Sequence, residues 1–181
     1  MNKAASLEKN APAQNLCMAC GLCCDGTLFK TVPVNPAERL LGLKTRGVQI
    51  HIEGERRCLL LPCTAYENCV CKVYTERPKR CTTYQCKLLK QCLNDKITWD
   101  EAAEVVHSTQ LHKKKLEANL RKVYRISSGE SLPDIFQRFI GSHGGEADAI
   151  VFRKKHALIL IDFLAFNKRL GLYFTEKKKE E

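Results

Sequence analysis

The sequence predicts a mainly α-helical protein with short β elements, in which an irregular cysteine-rich metal-binding half packs on a helical half. Two observations predict this fold class. All 11 cysteines among the 181 residues lie between Cys17 and Cys92, and the clearest capping motifs and helical periodicity follow residue 97. A chain of this length is sufficient for one compact domain and short for two independent cores.

The chain divides by composition into four segments. We expect a flexible N-terminus at residues 1–15, a cysteine-rich metal-chelating module at 16–96, the helical half of the same domain at 97–172 and a charged tail at 173–181. The composition, with 44% hydrophobic and 28% charged residues, is typical of globular proteins and excludes a collagen-like or wholly disordered chain.

Regular structure is sparse in the first half. A capping pattern that starts at Asn35 predicts a short helix that Gly42 ends, and the alternation over residues 48–52 predicts a strand. Over residues 58–86 the periodicity is poor. Such a segment cannot bury a regular apolar face, so bound metal would be its source of order.

Three helices are predicted in the second half. A capping box of Thr98 and Glu101 starts an amphipathic helix that runs to about Tyr124. Ser131 caps a second, shorter helix. We expect a third helix over about residues 146–170, and its apolar run predicts that it is the most buried element.

The termini and apolar runs bear on the compartment. The first 15 residues are polar and contain no apolar stretch of signal-peptide length. The longest apolar run, over residues 157–166, is interrupted by Asp162 and is too short to span a bilayer. We therefore expect a cytoplasmic protein without membrane contact, where cysteine-dense chains more often bind metal than form disulfides.

The formal net charge of +10 has to be corrected for thiolate ligands. Two closed zinc sites of four thiolates each would lower it to about +6. Residues 56–96 carry nine Lys or Arg against three acids. We expect this local positive charge to lower thiol pKa values and offset an anionic site, with a nucleic-acid surface as the alternative.

The first cysteine cluster is Cys17-x2-Cys20-x2-Cys23-Cys24. Two intervening residues let neighbouring sulfurs converge on one metal, and Gly21 frees the backbone to turn. Three cysteines at this spacing with one remote cysteine also follow the ligand pattern of bacterial ferredoxins. Buried reduced thiols and disulfides are alternatives that this density disfavours.

A second group of cysteines lies between residues 58 and 86. Together the two groups resemble the CxxCxxCC, or YkgJ-type, family of zinc- or iron-chelating proteins. The resemblance covers residues 15–92, and a similar module occurs in flagellin lysine methylases, whose activity nothing in the second half carries over. The matching positions are Cys17, Cys20, Cys23, Cys24, Cys58, Cys71, Tyr74, Arg77, Pro78, Cys81 and Tyr84, with Cys86 a less regular match.

The resemblance implies a set of cysteine ligands. Cys63 and Cys69 lie outside the family pattern and are candidate extra ligands, whereas Cys92 lies in a predicted helical stretch and is expected in the core. The expected metal ligands are Cys17, Cys20, Cys23, Cys24, Cys58, Cys71, Cys81 and Cys86.

The donor chemistry limits the metal to zinc or iron. Eight thiolates suffice for two closed zinc sites, and four suffice for a four-iron four-sulfur cluster. We favour zinc, because a redox-inert ion would organise an irregular segment, with iron as the alternative. Around the site, we expect Arg77 to donate to thiolate sulfur and Tyr74 and Tyr84 to shield it.

Metal chelation is therefore the predicted function. No phosphate loop, dinucleotide fingerprint or nucleophile elbow is recognised, and no catalytic residue is assigned. A zinc-dependent nucleic-acid-binding module is one alternative, and an iron–sulfur redox or enzyme-associated protein is another. The expected partners are the metal ion and an unidentified protein, with nucleic acid as the alternative partner.

Overall fold

The computed structural model describes residues 4–38, 41–127 and 129–176. Over these residues the chain is mainly α-helical with short antiparallel β elements, which confirms the predicted fold class. The helices are α1 (Ala4–Cys20), α2 (Leu41–Thr45), α3 (Lys79–Thr83), α4 (Lys87–Leu93), α5 (Trp99–Val123), α6 (Leu132–Ile140), α7 (Glu146–Lys155) and α8 (Ala157–Tyr173). The strands are β1 (Thr31–Val34), β2 (Ile50–Glu53), β3 (Arg56–Leu60), β4 (Tyr66–Glu67) and β5 (Val70–Cys71), followed by a 3₁₀ helix at Tyr74–Glu76.

A large apolar core joins the two halves of the chain. Helices α5, α6 and α8 supply most of it, including the fully buried Phe139 and Phe166. Leu22, Leu88 and Leu89 belong to the same core although they lie in the cysteine-rich half. The cysteine-rich half is therefore anchored on the helical half by shared apolar burial, which is the main favourable term in folding.

Helix α5 confirms the predicted capping box. The Thr98 hydroxyl accepts a hydrogen bond from the Glu101 amide at 3.2 Å, and the Glu101 carboxylate accepts one from the Thr98 amide at 2.7 Å. Two of the unpaired amides at the start of the helix are satisfied in this way. The predicted cap of α6 is also confirmed, because the Ser131 hydroxyl accepts from the Asp134 amide at 3.3 Å.

The predicted third helix is two helices, α7 and α8, separated at His156, whose backbone leaves the helical region. The expectation that it is the most buried element is wrong. Helix α8 buries Phe163, Phe166 and Leu170, whereas Leu158 is 83% exposed. The apolar run has two faces, and the core covers only one of them.

Two small sheets organise the cysteine-rich half. The first is antiparallel with strand order β1-β3-β2, and the second is the hairpin of β4 and β5. They surround a second, smaller core that includes Val34, Leu59 and Val73. The predicted strand at 48–52 begins two residues later, at Ile50, while Val48 is buried in this core.

The predicted short helix after Asn35 is displaced. The Asn35 side chain accepts from the Ala37 amide at 2.9 Å, as a capping residue would. However, the helix, α2, begins only at Leu41, and Gly42 lies inside it rather than at its end. The local pattern forms a turn because its side-chain bonds satisfy amides without requiring a helix to follow.

Both ends of the described chain are more structured than the sequence suggested. Helix α1 covers most of the segment expected to be a flexible N-terminus. Phe174 is buried, and its carbonyl accepts from the Lys87 amide at 3.2 Å, so the start of the expected tail belongs to the core. Residues 177–181 lie outside the described residues. Within the described ranges, no helix has the length and apolar content needed to cross a bilayer.

We expect Thr98→Ala to lower the free energy of unfolding by about 1 kcal/mol, because the Glu101 amide at the start of α5 loses the hydroxyl that accepts its hydrogen bond. Thr98→Ser keeps the accepting hydroxyl and is the matched control. Urea unfolding followed by circular dichroism measures both. Equal stability of the alanine and serine variants would contradict a capping role.

Candidate metal centre

Eight cysteines line one cavity of about 230 Å³ between the end of α1, the small sheets and the segment leading to α4. Apolar side chains such as Leu16, Leu59 and Val106 form much of the remaining wall. The eight are Cys17, Cys20, Cys23, Cys24, Cys63, Cys71, Cys81 and Cys86.

Four of these cysteines form set A: Cys17, Cys20, Cys23 and Cys86. Burial raises the pKa of Cys17, Cys20 and Cys23, and the neighbouring charge of Cys86 raises each of them further. Cys20 and Cys86 also pack against the large helical core. Set A thus combines the Cys-x2-Cys-x2-Cys turn after α1 with the residue that caps α4.

The other four form set B: Cys24, Cys63, Cys71 and Cys81. Burial raises the pKa of Cys24 to about 12, with further contributions from the charges of Cys63, Cys71 and Cys81. The Cys63 amide donates to the Cys24 carbonyl at 2.7 Å. Three members, Cys63, Cys71 and Cys81, pack against the smaller core of the sheets. The two sets meet at Cys23 and Cys24, since the charge of Cys24 also raises the pKa of Cys23.

The turn after α1 separates the two sets. Gly21 has a φ of +60°, and its amide donates to the Cys17 carbonyl at 3.0 Å. A side chain at Gly21 would collide with the hydroxyl of Tyr66, which donates to the Met18 carbonyl at 2.8 Å. The turn therefore requires glycine, for its positive φ and for the close approach of Tyr66.

Backbone amides point at several of the sulfurs. Bonds from the Leu22 amide to Cys20 and from the Ala65 and Tyr66 amides to Cys63 lower those thiol pKa values. The Leu89 amide lies 3.5 Å from the Cys86 sulfur. Hydrogen bonds of this kind favour the thiolate over the thiol. The thiolate is the form that binds metal.

Burial opposes these amides and dominates the pKa values. It raises the pKa of Cys17 to about 11 and that of Cys81 to about 11, although part of Cys17 faces solvent. The positive charge of Arg77 lowers the pKa at both positions without cancelling the burial effect. Without a cation the thiols are therefore protonated at neutral pH, and binding a cation would release protons.

Arg77 lines the cavity, and its positive charge lowers the pKa of a cysteine in each set, Cys17 and Cys81. Its guanidinium lies 3.5 Å from the centre of the Tyr74 ring, and its Nε donates to the Tyr74 carbonyl at 3.0 Å. These contacts fix the guanidinium in place. Its donation to thiolate sulfur and the shielding by Tyr74 stay predictions.

Tyr84 lies beside set A. Burial raises its pKa, and the charges of Cys23 and Cys86 raise it further. Its ring meets that of Phe29 edge to face, with 5.0 Å between centroids. The predicted role of shielding the site is consistent with this position and stays a prediction.

The structure does not bring Cys58 to the cavity, although the sequence predicts it as a ligand. Leu59 is buried on one face of β3, so Cys58 points to the opposite face. In the sheet, Cys58 stands opposite Pro33 of β1 and His51 of β2. Successive side chains of a strand point to opposite faces, so Cys58 and the apolar Leu59 cannot both face the core. This alternation is the sequence signal that could have placed Cys58 away from the cavity.

The two candidate extra ligands and the expected core cysteine also have definite places. Cys63, which the sequence left as a candidate extra ligand, belongs to set B. Cys69, the other candidate, is exposed on the β4–β5 turn with a φ of +61° and lies next to Tyr66. Cys92 is 2% exposed in the large core, where it was expected.

Among the residues that the structure describes, no group of three or more His, Cys, Asp or Glu side chains is arranged so that it could hold a metal ion. Instead, the eight cysteines of sets A and B line a cavity. The chemistry of each set, four soft thiol donors with amides directed at them, fits zinc or an iron–sulfur cluster.

Comparison of the chain with models of known protein families, with curated proteins and with solved structures found no match.

The raised thiol pKa values predict a pH dependence for the metal-free, reduced protein. The pKa of cysteine in an unfolded chain is about 8.5. In the fold, burial raises the pKa values of Cys17, Cys81 and Cys24 to about 11, 11 and 12. Between these pH values the folded state binds more protons than the unfolded state. Its stability should therefore be complete below about pH 8.5 and fall as the pH rises through the folded values.

Unfolding midpoints of chelator-treated protein between neutral pH and about pH 11 measure this loss. Cys69→Ser is the control and should leave the profile unchanged, because Cys69 does not line the cavity. Stability that rises or stays level across this window would contradict the raised pKa values of Cys17, Cys24 and Cys81.

Proposed function

We propose that this protein binds thiophilic metal at two four-cysteine sites, set A and set B, and that iron–sulfur clusters are the favoured occupants. The observation that carries this proposal is the set of eight cysteines that line one cavity, of which Cys20 and Cys86 pack against the large core and Cys63, Cys71 and Cys81 against the smaller one. Four thiolates are the complete ligand set of a closed zinc site and of a cubane cluster alike.

The composition of set A favours iron over zinc. It joins three cysteines of a Cys-x2-Cys-x2-Cys turn with one remote cysteine, Cys86, which is the ligand pattern of bacterial ferredoxins. The next cysteine in the chain, Cys24, belongs to set B. In two-cluster ferredoxins the fourth cysteine of the motif likewise serves the other cluster.

The cavity also favours a polynuclear group. Thiolates around a single zinc ion lie about 2.3 Å from it and leave no central space. Here eight cysteine side chains surround a cavity of about 230 Å³. A cluster of several metal and sulfide atoms fills more of such a cavity than single ions do. When bound, such a cluster would supply one-electron transfer chemistry.

Metal at these sites would order the first half of the chain. Set B draws its members from four separate segments: the turn after α1, the loop before β4, strand β5 and helix α3. The smaller core beneath them contains six buried residues. Because a small core contributes little stability, the free energy of metal binding would supply much of the folding free energy there.

Nucleic-acid binding is the weaker proposal. Several basic side chains near the cysteines are already paired with acids. Lys113 contacts Asp25 at 3.1 Å and Glu117 at 2.9 Å, and Lys90 contacts Glu176 at 2.7 Å. Lack of DNA or RNA binding at low ionic strength would eliminate this alternative.

Substitution of one cysteine per set tests the two-site proposal. In anaerobically purified protein we expect Cys86→Ser and Cys63→Ser each to lose about half of the iron and acid-labile sulfide, since each breaks one set. The double variant should lose nearly all of both. Elemental analysis and the visible absorbance of iron–sulfur clusters measure the loss.

Two cysteines outside the cavity supply matched controls. Cys69→Ser and Cys58→Ser should keep the full metal content, because neither residue lines the cavity. Two zinc ions per chain without sulfide would retain the two sites and refute the iron–sulfur assignment. Loss of all metal from either single variant would contradict two separate sites.

Arg77 should stabilise metal at both sites. Removal of its charge in Arg77→Gln should weaken metal binding by about tenfold at each site, which is the usual cost of losing a residue next to metal ligands. The Cys63→Ser and Cys86→Ser backgrounds isolate set A and set B, and competition with a chelator measures the affinity of each.

Arg80→Gln is the matched control for this experiment. Arg80 also lines the cavity, but its charge acts on Tyr84, whereas that of Arg77 acts on Cys17 and Cys81. Weakening confined to one background, or equal weakening by Arg80→Gln, would show that Arg77 is not shared by the two sites.

A further inference from the structure

Helix α8 has a second apolar face that the described chain leaves uncovered. Leu158, Ile161, Leu164 and Leu172 are exposed by 83%, 62%, 66% and 53%. They lie on the side of the helix opposite the buried Phe163, Phe166 and Leu170. A helix that is apolar on two faces is typical of an element covered on both sides.

The exposed residues follow the spacing of a helix-pairing seam. Leu158, Ile161, Ala165, Lys168 and Leu172 are separated alternately by three and four residues. This spacing keeps side chains on one stripe of a helix that packs against another helix. The stripe runs over almost the whole length of α8.

Helix α5 lies beside α8 and widens the exposed apolar face. The Arg169 guanidinium donates to the Ser108 hydroxyl at 2.8 Å, and His112 bonds Asp162 at 2.9 Å, so α5 and α8 lie antiparallel and side by side. Leu111 lies between Ser108 and His112 and is 53% exposed. These bonds place Leu111 level with Ala165, beside the seam.

We propose that this face of α8, with Leu111, is the interface of a homodimer in which the α8 helices of two copies pack antiparallel around Ala165. The seam is self-complementary in this arrangement, as a two-fold interface requires. Leu158 and Leu172 both lie seven residues from Ala165, so Leu158 of one copy meets Leu172 of the other. The small Ala165 side chain at the centre allows the two helices to approach closely.

Lys168 is compatible with this interface. Its position in the seam brings it near Ile161 of the other copy. The aliphatic part of a lysine side chain covers apolar surface while the ammonium group reaches solvent at the edge. The exposed Leu164 flanks the same contact and adds apolar area.

The size of the face sets the expected affinity. A 17-residue helix is about 25 Å long, and two adjacent helices are about 20 Å wide. Two copies would therefore bury on the order of 1,000 Å² in total, near the lower limit for specific interfaces. An interface of this size belongs to the weak class, so we expect the dimer to form only at elevated protein concentration. The dimer depends on neither the metal nor the proposed function.

Analytical ultracentrifugation of the full chain, from low micromolar to several hundred micromolar, tests this inference. We expect the wild-type protein to pass from monomer to dimer over this range. The double variant Leu158→Glu with Ile161→Glu should stay monomeric, with unchanged helical circular dichroism and metal content. Both side chains are exposed in the monomer, so the variant should fold.

Leu41→Glu is the matched control, because Leu41 is 75% exposed on α2, away from α8. It should dimerise like the wild type. A wild-type monomer at the highest concentration, a double variant that still dimerises, or dissociation by Leu41→Glu would each overturn the inference.

Discussion

The crowding of eight cysteines around one apolar cavity is the constraint on which the cysteine-rich half depends. Burial raises the pKa of Cys17, Cys24 and Cys81 to about 11, 12 and 11. The neutral thiol is favourable in such surroundings, because it behaves as a small apolar group. Metal binding would require the thiolate. Backbone amides and Arg77 favour the thiolate, and a bound cation would supply the rest.

The adjacency of Cys23 and Cys24 gives this half its organisation. One peptide bond separates Cys23 of set A from Cys24 of set B. Cys20 and Cys86 pack against the large core, whereas Cys63, Cys71 and Cys81 pack against the smaller one. Gly21 and Tyr66 hold the turn that precedes this step. The covalent chain and the charge of Arg77 connect the two sets.

Local signals in the sequence predicted elements that need no distant partner. The capping box at Thr98 and the cap at Ser131 are satisfied within one turn of helix, and both form as predicted. Asn35 also makes its local bonds, yet the helix starts later, because a capping pattern stabilises a turn whether or not a helix follows. The division at His156 had no comparable signal in the sequence.

The sequence by itself determined the fold class and the first cysteine cluster, because helix caps and close cysteine spacing are local patterns. The family resemblance named seven of the eight cysteines that line the cavity. Only the tertiary structure decided that Cys63 rather than Cys58 faces the cavity, since the outcome depends on which face of β3 is buried. It also decided the division into set A and set B and the uncovered face of α8. These features depend on which distant segments meet, and burial against distant segments is a property that no local pattern encodes.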